Sequence, residues 1–227
     1  MTRLNRVGGE WFSRTVLPRL LFRDRIATGL LVVTLLLWYS VQVGVVVLGG
    51  DRTLIQWLFT TDSFPALSPG LVGAIVSHAS PVHLLGNVAL LWLFAGDSEQ
   101  HMRRPEVLGC FVVTALAAVL TGAALSGNST MGASGGVFAF IGFYCVHVAI
   151  EHWETLGFET LAVGGLDEIT PRICWSAMLV ALPIALLLAL VGQLIGLVPV
   201  GRADVVGHLT GLLCGVGYAA VRGSLRE

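Results

Sequence analysis

The side chains able to do chemistry are few, and they are set among apolar residues. Ser134 stands in Gly132-Ala133-Ser134-Gly135-Gly136. Glycines around a serine let another backbone approach and leave the hydroxyl uncrowded. A serine hydroxyl is a weak nucleophile until a neighbouring base takes its proton. His208 can take that proton and later return it to a leaving amine. His83 and Asn87, four residues apart, share one helix face and present two side-chain donors to a common point. With the Ser134 backbone N–H they would hold the oxyanion of a tetrahedral intermediate. The chemistry is acyl transfer. No carboxylate lies inside an apolar segment to orient His208 as a triad would. Asp204, one turn ahead of it, either assists or sits in water at the segment boundary, and a Ser134–His208 dyad is expected.

Each part also has a plainer use. Small residues such as Gly-Ala-Ser-Gly are common where membrane helices touch. His83, Asn87 or His208 alone would serve as an interhelical hydrogen-bonding group. Gly132-x-Ser134-x-Gly136 matches the hydrolase nucleophile elbow, but that elbow needs a strand before the serine, and here an apolar run and a polar turn precede it. His83 and His208 would suit axial ligation of a haem, a use in which Ser134 and its glycines have no purpose. A transporter is disfavoured, because no apolar segment has a Pro/Gly break with a symmetric partner. The catalytic reading rests on the co-location of all four polar groups.

The elements that must position them follow from composition. Of the 227 residues, 55% are hydrophobic and only 12% charged, with a mean hydropathy of +0.83. A soluble domain carries about twice that charged share, so the expected class is all-α, a polytopic membrane helical bundle. A net charge of −1 gives no footprint for nucleic acid. The four cysteines are scattered in or beside apolar runs, without the spacing of a disulfide framework or a zinc site. Neither metal nor cofactor is expected.

A bilayer-crossing helix needs about 20 apolar residues. The uncharged runs are 26–48, 71–95, 107–150 and 173–198. The third is split near 126–130 by Ser-Gly-Asn-Ser-Thr into 107–125 and 132–150. A Gly-rich segment, 205–221, completes six transmembrane helices. The division expected is a basic segment 1–25, a membrane domain 26–221 and a tail 222–227. Residues 4–21, with Trp11, Phe12 and Leu17 among arginines, suit an interfacial helix or a basic tail. Eleven of the 13 arginines fall on one side of the six segments, and Arg52 and Arg202 on the other. Both termini are therefore expected to be cytoplasmic. That orientation brings His83, Asn87, Ser134 and His208 to one depth in the outer leaflet and leaves His147 at the opposite end. His208 begins a face with Gly211 and Gly215, the small-residue pattern that lets helices approach closely.

This constellation resembles the rhomboid family of intramembrane serine proteases. The resemblance covers about 26–221. It is carried by His78-x4-His83-x3-Asn87, Gly132-Ala133-Ser134-Gly135, His208-Leu209-Thr210-Gly211, and Gly96 with Glu99. It implies a rhomboid-like bundle with Ser134 as nucleophile, His208 as base and His83 and Asn87 as oxyanion donors. His78 would be a structural or water-binding histidine, and Phe138 the aromatic residue packed on His208. Asp204 also fits. The Trp-Arg pair of many members' first external loop is not reproduced, since Arg52 and Trp57 are separated. The implied substrates are transmembrane proteins, cut in or near a membrane-spanning segment at the cell membrane, with the site opening away from the cytoplasm. Gly192–Ala203 is expected to act as a lid, with Ser77, His78 and Ser80 lining a water path. A rhomboid-like protein that binds clients without cutting them would show damage to the dyad or donors, and both are intact.

Overall fold

The computed structural model describes residues 25–61, 68–126, 128–151, 171–195 and 202–224. The elements are all helical: α1 (Ile26–Val47), α2 (Arg52–Phe59), α3 (Gly70–Gly73), α4 (Pro81–Ser98), α5 (Arg104–Ser126), α6 (Ser134–Glu151), α7 (Pro171–Leu194) and α8 (Arg202–Ser224). The segment 4–21, residues 152–170 and residues 196–201 of the expected lid lie outside the described residues, as do the side chains of Cys174 and Asp204.

α6 is the centre of the bundle. Every residue from Gly135 to Tyr144 is buried, and the helix packs against α8, α5 and α4. A helix apolar all round belongs inside. The outer helices do the reverse. α1 buries Ala27, Thr28, Leu31 and Leu35 and exposes Leu30, Leu37 and Val47, as a helix with one protein face and one lipid face must. α1, α5 and Val205–Gly223 of α8 are long and apolar enough to cross a membrane. Ser134–His147 and Ala181–Gln193 are shorter apolar helices.

Without a hydrophobic driving force between helices in lipid, close packing holds them together. Here glycine provides it. A Cβ on Gly211 would collide with the Gly135 carbonyl oxygen, and one on Gly215 with that of Ala139. From the other side, a Cβ on Gly142 would strike the Leu212 carbonyl. The backbones of α6 and α8 therefore touch. A hydrogen bond between Thr121 Oγ1 and Thr210 Oγ1 (2.9 Å) adds a polar tie from α5 to α8.

The second apolar run departs from expectation. The helix expected over 71–95 begins at Pro81, and residues 70–80 form the short α3, a turn and an extended stretch. Ser80 is the N-cap, its Oγ accepting the His83 N–H at 3.2 Å. Pro81 at the first position needs no N–H partner. Hydropathy cannot register this break, because the residues before Pro81 are as uncharged as those after it. His78 consequently precedes the helix rather than sharing it with His83.

Gly96 and Glu99 tie the end of α4 to the start of α1. The Glu99 carboxylate accepts from Ala27 N (2.7 Å), Thr28 N (2.9 Å) and Thr28 Oγ1 (2.8 Å), so it caps the start of α1. Gly96 leaves room for the Arg25 guanidinium, which donates to the Trp92 carbonyl and lies over the Trp92 ring.

Candidate active site

Ser134 is the first residue of α6. The first N–H groups of a helix have no intrahelical acceptor, so the backbone beside the hydroxyl offers donors as well as the positive end of the helix dipole. Gly132, just ahead, has φ +143°, a conformation that favours glycine. A Cβ there would lie 3.4 Å from His83 Cε1 and 3.5 Å from Ser134 Oγ. The serine hydroxyl and the His83 ring therefore border one small space that glycine keeps open.

The loop carrying Gly132 is pinned from two directions. Thr61 and Thr130 exchange both backbone hydrogen bonds, at 3.0 and 2.8 Å, in an isolated antiparallel bridge. The Gly132 N–H donates to the Ala74 carbonyl at 2.8 Å, and Thr130 Oγ1 donates to the Val119 carbonyl at 2.8 Å.

His208 enters from α8. Its ring lies 4.4 Å from that of Phe138, inclined by 16°. Phe138 follows Ser134 by four residues and so lies on the same face of α6. The stack thus places the His208 imidazole over the face that carries the serine. No hydrogen bond between Ser134 Oγ and His208 appears among the described residues, and His208 Nδ1 is buried without a hydrogen-bond partner. Catalytic hydrogen bonds are often long before substrate binds.

Asn87 is 5% exposed, and its Nδ2 has no hydrogen-bond partner among the described residues. Buried polar groups are nearly always satisfied. A preorganised donor kept for a developing oxyanion is one of the few arrangements that calls for an exception. His78 is fully buried. Its Nδ1 donates to the Val76 carbonyl (3.1 Å) and its ring meets that of His83 edge to face at 5.2 Å. His147 lies at the far end of α6 against His101, with ring centroids 3.9 Å apart, well away from this group.

Sequence reasoning missed Gln42. From α1 it hydrogen-bonds both backbone groups of His78. The signal was available: a lone carboxamide in an otherwise uncharged apolar run is costly and marks a partner.

The structure is a helical bundle in which Ser134 and His83 border one space at the start of a central helix, His208 lies against that helix at Phe138, and Asn87 follows His83 by one turn on α4. A Rhomboid domain model matches residues 69–225, well over half of the chain, and the chain belongs to the rhomboid family. No curated protein matches it. The family is one of intramembrane serine proteases that also includes inactive members.

Proposed function

We infer that this chain is an active intramembrane serine endopeptidase that hydrolyses a peptide bond in or near a transmembrane segment of another membrane protein. Six transmembrane helices would carry the site, with α4, α6 and α7 joining α1, α5 and α8. Both termini would be cytoplasmic and the site would open on the opposite side of the cell membrane, as the arginine distribution suggests. Ser134 is the nucleophile and His208 the base that later protonates the leaving amine. Its imidazole is held by Phe138. His83, Asn87 and the Ser134 N–H receive the oxyanion. Gly132, Gly135 and Gly211 give the backbone and hydroxyl their room, and no metal or cofactor is invoked.

The observation that carries this reading is the Phe138–His208 stack on two helices in backbone contact. It supports a base above the serine at the end of the bundle where Asn87 holds an unused donor. A transmembrane substrate hides its carbonyls in helical hydrogen bonds, so cleavage needs local unwinding. Substrates with glycine or other helix-weakening residues near the site are expected to be preferred.

The test is covalent labelling and cleavage. A fluorophosphonate or isocoumarin probe should modify the wild-type protein in detergent or liposomes. Ser134→Ala should abolish both the labelling and the cleavage of a model transmembrane substrate. Cleavage that persists in Ser134→Ala, or a wild type that neither labels nor cleaves, would reject the reading.

A further inference from the structure

Gln42 lies on α1, and its carboxamide meets the backbone of His78 at two points. Nε2 donates to the His78 carbonyl at 2.9 Å, and Oε1 accepts the His78 N–H at 3.1 Å. Reversing the amide would set donor against donor and acceptor against acceptor. The pair therefore fixes the carboxamide and the His78 backbone together.

The residue so clamped has no regular element to hold it. Ser77 and His78 lie between α3 and α4, outside any helix. A backbone segment without a ladder must find its hydrogen bonds in side chains, and α1 provides them. Trp38 Nε1 donates to Ser77 Oγ at 2.9 Å, and the Tyr39 ring stands edge to face with that of His78 at 6.5 Å. From His78 the contact passes to the oxyanion group. Its ring, fixed on the far side by the bond from Nδ1 to the Val76 carbonyl, abuts His83 at 5.2 Å and 68°. His83 in turn borders the Gly132–Ser134 turn. The family match starts at residue 69, so α1 lies outside the matched stretch.

We propose that Gln42 is a positioning residue for oxyanion stabilisation: by clamping both peptide groups of His78 it holds the His78 ring, and through it the His83 ring, at the Ser134 hydroxyl. Gln42 touches no reacting atom. The proposal rests on the proteolytic reading, and α1 becomes part of the catalytic apparatus rather than a membrane anchor alone.

The experiment is a double-mutant cycle on the full chain in liposomes, with a model transmembrane substrate. Gln42→Met keeps the side chain's length and removes both hydrogen bonds. It should lower kcat about tenfold, since a misplaced oxyanion donor loses part of the ~10²–10³ that its removal costs, while KM stays within about twofold. Gln42→Leu likewise removes both hydrogen bonds, should lose kcat as Gln42→Met does, and serves if Gln42→Met does not fold. In a His83→Ala background Gln42→Met should change kcat by less than about twofold, because residues acting through one another are not additive. Wild-type kcat in Gln42→Met, or the same fractional loss with and without His83, would overturn the role of Gln42 while leaving the protease assignment standing. A wild type without Ser134-dependent cleavage would overturn both.

Discussion

The rings of Phe138 and His208 lie 4.4 Å apart and within 16° of parallel, so an imidazole borne by one helix is held flat against the helix that carries Ser134. An aromatic contact of this kind is worth about 0.5–1.5 kcal/mol beyond its area. That energy restricts the orientation of the His208 ring. Phe138→Ala is expected to lower kcat about tenfold or more with little change in KM. Phe138→Tyr should retain most activity, because the stacking ring remains. Steady-state cleavage of a model transmembrane substrate measures both, and an unimpaired Phe138→Ala would show that His208 is oriented by something else.

Asn87 Nδ2 is buried without a partner among the described residues, and the proposed oxyanion role would engage it only in the reacting state. Asn87→Ala is expected to cost roughly 10²–10³ in kcat, as loss of an oxyanion donor does elsewhere. It should leave thermal stability unchanged or raised, since an unsatisfied buried group is removed. Cleavage rates and melting in detergent separate the two effects. A destabilised Asn87→Ala with normal kcat would mark the residue as structural.

Backbone contact between α6 and α8 leaves no space at Gly211 or Gly215. The obstructing atoms are carbonyl oxygens, which cannot swing aside as a flexible side chain would. Gly211→Ala should lower unfolding stability by about 1–3 kcal/mol and reduce activity as well, because separating the helices withdraws His208 from Ser134. Gly217 has open space around it, and Gly217→Ala should be neutral to mildly stabilising. Unfolding in mixed detergent with parallel cleavage assays tests the pair.

Glu99 gathers three donors at the start of α1. Glu99→Gln keeps one acceptor and introduces an amide that faces N–H groups. It is expected to lower stability by about 2–3 kcal/mol, with greater protease sensitivity around residues 25–50. If Gln42 reaches the site only because α1 is held in register, Glu99→Gln will also reduce kcat. Limited proteolysis and activity, measured on the same preparation, decide this.

Much of the design was legible because a membrane makes polarity conspicuous. Ser134, His83, Asn87 and His208 stood out as expensive groups in apolar runs, and the Ser126–Thr130 turn announced the boundary between α5 and α6. The glycine stripe on α8 foretold its contact with α6. Hydropathy was blind, however, to the break at Ser80-Pro81, where one uncharged stretch passes from turn to helix and moves His78 off the helix of His83. The partner of Glu99 could not be read either, since it caps backbone groups of a distant helix and backbone atoms carry no sequence signature. The same holds for Gln42, which recognises peptide groups rather than a side chain.

The enclosure of α6 on every side has a mechanical consequence. A helix wedged against three neighbours, with carbonyls pressed onto glycines, has no room to bend toward a visitor. Whatever distortion a scissile segment and this site require to meet must be borne by the visitor, and the amides of Gly135–Tyr144 should be among the last of the described residues to exchange with deuterium.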